Sequence, residues 1–336
     1  METSPPNATV LLPVLDEVGT IDACLRSLAA QDYHGKVSIV VAEGGSTDGT
    51  RDRLEVWDQN GIGLEVINNP GRLQSLGLNL AAQTASGEVL VRADAHTRYA
   101  PDYISRSVTA LLESDAVAVG GPMIVGDVED PPTGWQGRLR RAVGASMASP
   151  LAIGPAKFRR QGHAGETDTV YLGTFRRDDF LEVGGYRAFP SAVAEDADLY
   201  YRWRRQGRKV LLDPTIVSFY TPRGTLRGLF RQYHKYGRGK ADMLWANGRL
   251  PSMRPLAPLV LVMGLTAGGV AALFGLWWPL AILVGAWLAE LVIAALTTTP
   301  RTPLTVLAGG VMQLAYGAGL ARDLVRGSRA TRRPAT

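Results

Sequence analysis

Short apolar runs alternate along the first two-thirds of this chain with segments whose apolar positions recur every three or four residues. Residues 8–15, 36–42, 63–67, 89–94 and 116–119 read as strands. Between them, Ile21, Cys24, Leu25 and Leu28 follow Thr20, an N-capping residue type, at helical spacing. Leu54 with Trp57, then Leu73, Leu76 and Leu80, then Ile104, Val108, Leu111 and Leu112 mark further helices. This order predicts an α/β fold with a mostly parallel, doubly wound sheet covered on both faces. Such sheets bind ligands beyond the carboxyl ends of their strands. Leu15 to Glu17, Glu43 and Asp94 fall at such ends, so positions far apart in sequence should converge.

The pattern then becomes less regular. Residues 127–170 are rich in Gly, Pro and Arg and read as an irregular stretch, either a binding loop or a connector. Residues 175–186 resemble a short helix closed by Gly184 and Gly185. Glu195-Asp196-Ala197-Asp198 opens a helix through Arg205; acids there either complement the helix dipole or do chemistry. Residues 209–213 and 215–220 are strand-like, split by Pro214. Residues 225–245 form a basic, aromatic helix with Leu226, Leu229, Phe230 and Tyr233 on one face. It suits either a membrane interface or the surface of a soluble domain, and Gly237 and Gly239 weaken it as a helix.

From Leu256 to Ala289 there is no charged residue. That exceeds one span of about 20 residues. Trp277-Trp278-Pro279 divides it into expected spans Leu256–Trp278 and Pro279–Leu296. Residues 302–321 are a third uncharged stretch, richer in Gly and holding Gln313. Arg249 and Arg254 precede the first span, and Arg326, Arg329, Arg332 and Arg333 follow the third stretch. Positive flanks on one side need an even number of spans, whereas length alone favours three; the third stretch is therefore re-entrant or interfacial, or the charge rule fails. Glu290 either faces a partner helix or a lipid-linked acceptor, or sits near enough to the interface to be hydrated. The expected organisation is a catalytic domain over 1–222, an amphipathic region over 223–254, membrane helices over 255–322 and a basic tail over 323–336.

Composition narrows this picture. The net charge of +5 gathers near the membrane-like part, which fits anionic lipid better than nucleic acid. One cysteine, Cys24, excludes an internal disulfide. No basic segment followed by an apolar run opens the chain, so no signal peptide is expected. In a strand, Asp94 and His96 would point the same way. A hard carboxylate oxygen beside an imidazole can hold Mg²⁺ or Mn²⁺. The alternative is that Asp94 caps the following turn and His96 is an ordinary loop residue.

Several motifs occur in an order that resembles family 2 glycosyltransferases. They are Pro13-Val14-Leu15-Asp16-Glu17, the loop from Glu43 to Thr50, Asp94-Ala95-His96 and Glu195-Asp196-Ala197-Asp198. The chain is similar to inverting GT-A enzymes, most of all to bacterial membrane glucosyltransferases of the succinoglycan-biosynthesis type. These share Asn69-Pro70-Gly71-Arg72, the run from Arg92 to Tyr99 and the run from Gln232 to Gly239. The resemblance covers roughly residues 8–240 and implies a GT-A catalytic domain followed by transmembrane helices. Pro13, Leu15 and Glu17 would line the nucleotide pocket. Glu43, where family members usually carry Asp, would meet the uracil edge, with Asp48 supporting its loop. Arg72, Asn79 and Ala93 would lie near the nucleotide and its phosphates. Asp94 and His96 would hold Mn²⁺ or Mg²⁺ or meet the diphosphate. Asp196 would be the general base, with Glu195 beside it. Thr174, Gln232 and Arg238 would face the acceptor or its loop. The implied partners are a nucleotide sugar, with UDP-sugars favoured, a lipid-linked glycan acceptor and membrane lipid, and no nucleic acid.

Overall fold

The computed structural model describes residues 4–57, 63–126, 133–154, 156–159, 162–249 and 252–327. Arg329, Arg332 and Arg333 lie outside them. In chain order the elements begin with β1 (Ala8–Val14), α1 (Ile21–Ala29), β2 (Val37–Glu43), α2 (Thr50–Glu55), β3 (Gly63–Asn68), α3 (Gln74–Thr84) and β4 (Val89–Arg92). Next come β5 (Thr97–Tyr99), α4 (Tyr103–Leu112), β6 (Ala116–Gly121), β7 (Met123–Val125), α5 (Gly134–Ala148) and α6 (Pro150–Ile153). Then follow β8 (Gly165–Glu166), β9 (Tyr171–Arg176), α7 (Arg177–Glu182), α8 (Glu195–Arg205), β10 (Lys209–Leu212) and β11 (Ser218–Tyr220). The chain closes with α9 (Leu226–Asn247), α10 (Ala257–Leu273), α11 (Trp278–Leu296) and α12 (Pro303–Arg326). Two compact units result. The first takes the described parts of Met1–Val125, Lys157–Ala188 and Glu195–Thr221, and the second takes the rest.

The first unit holds an eight-stranded sheet in the order β3-β2-β1-β4-β9-β6-β10-β8 and a small sheet β5-β11-β7. β3, β2, β1 and β4 run parallel, as the alternation of strand and helix requires. Side chains alternate between two cores. Val10, Leu12, Ile39, Val41 and Val91 pack with Leu25, Leu28, Ile104 and Leu111 on one face. Leu11, Val40, Leu90 and Phe175 pack with Leu78, Phe180, Leu199 and Trp203 on the other.

Three local expectations are corrected. The strand thought to run to Asp94 ends at Arg92, where the backbone turns and the Thr97 N–H donates to the Asp94 carbonyl at 3.0 Å. The stretch read as irregular contains the helix α5. The segment read as a helix from Phe175 begins as β9, which lies antiparallel between β4 and β6 before passing into α7. Thr174 is therefore a wholly buried strand residue and not a loop residue. Gly173 lets the helix α8 approach β9, since a Cβ there would collide with the Tyr200 hydroxyl. Tyr200 and Trp203 of α8 fill this core with Phe175, Phe180 and Tyr186.

Among its described residues the second unit has three helices long and apolar enough to cross a membrane, with mean hydropathy 2.1, 2.2 and 1.4 in chain order. α10 and α11 form a hairpin, with Gly264 facing Leu283 and Gly268 facing Leu280. Val260, Met263, Val270, Ile282 and Ile293 lie exposed on it, which suits hydrocarbon rather than water. α12 differs. Its Gly310 meets Trp287 and Leu291, and its Gly317 meets Pro258 and Val262, all in one half of the hairpin. α9 runs along α12: Gly237 lies against the Tyr316 carbonyl, Gly319 against that of His234, and Arg238 pairs with Asp323 at 2.8 Å. Gly237, which weakens α9 as a helix, thus allows its close crossing with α12, while Gly239 packs against Val193 and Ala194. Leu229 and Tyr233 of α9 are buried, whereas Phe230, expected on the same face, is 45% exposed. Glu290 faces a partner helix: both its oxygens are 3.2 Å from Gln313 Nε2, and Trp287 Nε1 donates to Gln313 Oε1 at 2.7 Å.

Candidate active site

At the carboxyl edge of the parallel strands, the loops after β1 and β2 are tied together. Asp16, at the left-handed φ of 55°, donates its N–H to Ser46 Oγ and accepts from the Thr47 N–H through Oδ1. The Glu17 N–H donates to Thr50 Oγ1 at 2.8 Å, and the Val18 N–H to Asp48 Oδ2 at 3.0 Å. Asp48 Oδ1 also accepts from the Thr50 hydroxyl and N–H. The Thr50 hydroxyl bond and the Val18 N–H hold the Asp48 carboxyl below its usual value. Pro13 and Leu15 are half-buried here, and Leu15 packs over Gly44. Arg72 reaches over Gly45.

Glu43 ends β2 and is only 1% exposed. Its Oε1 accepts from the Ser46 N–H at 2.6 Å and its Oε2 meets Arg51 Nη1 at 3.1 Å. Burial alone would raise its proton affinity. The bonds from Ser46 and Gly45 and the Arg51 charge outweigh burial, so the carboxyl sits below its ordinary value.

Asp94 follows β4 in the tight turn and is 8% exposed. Tyr99 Oη accepts from its N–H at 2.8 Å and donates to its carbonyl at 3.2 Å, which fixes the backbone. Gln74 Nε2 donates to Asp94 Oδ1 at 2.8 Å, and Arg92 Nε lies 3.7 Å from the same oxygen. Ala93 is wholly buried, its N–H bonded to the Leu11 carbonyl. Because the chain has left the strand, Asp94 and His96 do not share a face by strand alternation. His96 is half-exposed, with Nδ1 3.4 Å from Glu17 Oε1 and its ring edge-on to Tyr220.

The helix α8 brings the other acids. Glu195 is 5% exposed and its Oε1 is 3.0 Å from Arg92 Nη2. Burial pushes its carboxyl up and Asp196 adds to this, while Arg92 opposes both; the net direction is up. Asp196 is half-exposed and its Oδ1 accepts from the Ala197 N–H at 2.6 Å. Asp198 is instead wholly buried between Arg187 and Arg202.

Arg92 was not read as a site residue from sequence, although an arginine inside an apolar strand is the signal that could have found it: burying that charge is costly unless it is paired. Gln74 and Tyr186 were also missed. Tyr186 lies under the Arg92 guanidinium, 5.5 Å from ring centroid to Cζ. Asn79 clamps Tyr186, donating to its carbonyl and accepting from its N–H, both at 2.8 Å. The Thr174 hydroxyl has no hydrogen-bond partner among the described residues. In the other unit, Gln232 donates to Tyr236 Oη and Arg238 is held by Asp323.

Among the described residues no group of three or more His, Cys, Asp or Glu side chains is arranged to hold a metal alone. Gln74 and Arg92 both meet Asp94 Oδ1, which leaves Oδ2 for a cation. Magnesium-type ions are commonly held by one or two carboxylates, with waters and substrate phosphates completing the shell. The donor set fits such an ion only with phosphate as co-ligand.

The family model for glycosyl transferase family 2 matches residues 9–180. The chain is 31% identical over 334 residues to the succinoglycan biosynthesis protein ExoA of Rhizobium meliloti (strain 1021), covering 96% of this chain and 97% of that one. It is 21% identical to the dolichyl N-acetyl-alpha-D-glucosaminyl phosphate 3-beta-D-2,3-diacetamido-2,3-dideoxy-beta-D-glucuronosyltransferase of Methanococcus voltae, covering 70% of this chain and 73% of that one. Among solved structures, the mannosyltransferase PcManGT from Pyrobaculum calidifontis, in complex with GDP-Man and Mn2+, matches with a TM-score of 0.61 at 21% identity. It covers 97% of this chain and 89% of that chain, a likeness of fold. The matched family model and the end-to-end relative together show that this chain belongs to glycosyl transferase family 2, with the GT-A fold.

Proposed function

We propose that this enzyme transfers a sugar, with inversion, from a nucleotide sugar to a hydroxyl of a lipid-linked or polysaccharide acceptor. UDP-sugars are the favoured donors. The observation that carries this reading is the link from Asp94 through Arg92 to Glu195, which brings the donor-side carboxylate and the start of α8 into one centre. A sugar hydroxyl is a poor nucleophile and must lose its proton as it attacks. Asp196, half-exposed at the helix start, takes that proton. Asp94, with His96 two residues on in the turn, would hold Mn²⁺ or Mg²⁺, with donor phosphate completing the shell of the ion. When bound, the ion stabilises charge on the departing nucleoside diphosphate. Pro13, Leu15 and Glu17 form the wall for the base, and Arg72 meets phosphate. Glu43 and Asp48 shape that wall by holding the loop.

The membrane arrangement supports a lipid-linked acceptor. We infer that α10 and α11 are the two spans and that α12 crosses the foot of their hairpin. From Tyr316 to Asp323 α12 lies against α9, which carries Arg231, Lys235 and Arg238, and these charges are expensive at hydrocarbon depth. An even number of spans puts Arg254 and Arg326 on the same side, the cytoplasmic face of the cell membrane.

The test is nucleoside diphosphate release by the full chain in lipid nanodiscs, with Mn²⁺ and a panel of UDP- and GDP-sugars. Release from one donor, dependent on a lipid-linked acceptor, is expected. Donor binding by calorimetry without release from any donor, with lipid-linked sugars and polyprenyl phosphate both supplied, would overturn it.

A further inference from the structure

We propose that Arg92 is a positioning residue of the transfer reaction, holding the donor-side carboxylate and the base-bearing end of α8 in one fixed relation. This rests on the function proposed above. Arg92 is the last residue of β4 and only 6% exposed. Its backbone is set by pairing opposite Leu11, and the next residue donates its N–H to the Leu11 carbonyl. The side chain therefore starts from the middle of the sheet, not from a loop.

From there its fork serves two masters. Nη2 lies 3.0 Å from Glu195 Oε1, and Nε lies 3.7 Å from Asp94 Oδ1. The guanidinium face rests over Tyr186, whose backbone Asn79 grips from α3. Neutralising Glu195 would need only one cation. A planar fork meeting two carboxylates from opposite sides of the site is a geometric device, which a lysine's point charge does not reproduce. Nε has no hydrogen-bond partner among the described residues. A few tenths of an ångström toward Asp94 would bring it to hydrogen-bond range. Gln74 already steadies the same Asp94 oxygen at 2.8 Å. On the other side, Glu195 and Asp196 are adjacent in the first turn of α8, so anchoring the first fixes the backbone that aims the second. Arg92 itself meets neither reacting atom; it acts through Asp94 and Glu195.

The test compares Arg92→Lys, Arg92→Met and the double variant Arg92→Met/Glu195→Gln with the wild type. Turnover is measured with the donor that the wild type uses fastest, Mn²⁺–UDP and Mn²⁺–GDP affinities by calorimetry, and folding by thermal melting. Arg92→Lys keeps the charge and should fold. Its kcat should fall about 10- to 100-fold, the scale of a misplacement near 1 Å, while the donor KM moves less than about threefold. The double variant removes the buried charges together and should melt closer to wild type than Arg92→Met, yet stay as slow. Arg92→Lys turning over within about twofold of wild type, or a double variant that regains wild-type kcat, would overturn the proposal. If the wild type uses no donor, the proposed transfer fails while the coupling is still decided by amide exchange. Faster exchange at Ala197 and Asp198 in Arg92→Lys supports it, and unchanged exchange refutes it.

Discussion

Two regions of the catalytic unit use carboxylates in opposite ways. At the β1 and β2 loops, Glu43 and Asp48 spend their oxygens on N–H groups, a threonine hydroxyl and Arg51, and their proton affinities fall. At the β4 and α8 ends, Glu195 is buried with Arg92 and its proton affinity rises, while Asp196 beside it is half-exposed. The first arrangement makes a rigid wall. The second keeps one acid available and fixes its neighbour. Identical side-chain chemistry thus takes different work according to whether backbone N–H groups or a buried guanidinium meet it.

That contrast can be broken by substitution. Asp94→Asn should lower turnover by about 10²–10³, the scale of losing one preorganised charge contact at a developing anion. The same variant should weaken Mn²⁺-dependent binding of UDP or GDP in calorimetry. Glu43→Ala should act on stability instead. It removes the acceptor of the half-buried Ser46 N–H and costs about 0.5–1.5 kcal/mol, read from denaturant unfolding. Next comes pH. Glu43 sits below its ordinary 4.5, so its contribution is present above about pH 4.5 and is lost as pH falls through its lower folded value. Glu195 sits above 4.5, so its contribution is full below that pH and is lost as pH rises through its folded value. Glu43→Gln should therefore flatten the acid limb of stability, whereas Glu195→Gln should gain on the wild type as pH rises from 4.5. Parallel curves for the two variants would erase the distinction. The smallest effect is local: Asp48→Ala should speed amide exchange at Val18 and Thr50 and leave that at Tyr99 unchanged.

Much of this was legible from residue order. The parallel strands and their helices follow from apolar periodicity, and Glu43, Asp94 and Glu195 stand out as acids at element ends. β9 was not legible, because Gly173 and Thr174 break the apolar run that marks a central strand, and only the Tyr200 contact explains the glycine. The turn at Asp94 was legible only as an alternative, because the apolar run Val89 to Val91 supports a strand continuing to Asp94, whereas the Tyr99 hydroxyl holds the backbone in a turn. α5 was hidden by the glycines and arginines of its own sequence. Its buried face is mostly small, with Leu139, Val143 and Met147 the large side chains among Gly137, Ala142, Gly144, Ala145 and Ser146. Arg92 was visible as a residue but not as a link, since its partners lie on α8 and beyond the strand end. α12 is long and apolar enough for the third span that its length suggested, but the close approach of its glycines to α9 and the hairpin was not legible.

The central claim is a division of labour in which one side of the site holds the donor and Asp196 takes the acceptor's proton. It is tested most directly by measuring Asp196→Asn for both donor-nucleotide affinity and turnover with a sugar acceptor. The account predicts Mn²⁺–nucleotide binding within about twofold of wild type and kcat lowered by about 10²–10⁴. Wild-type kcat in Asp196→Asn would contradict it.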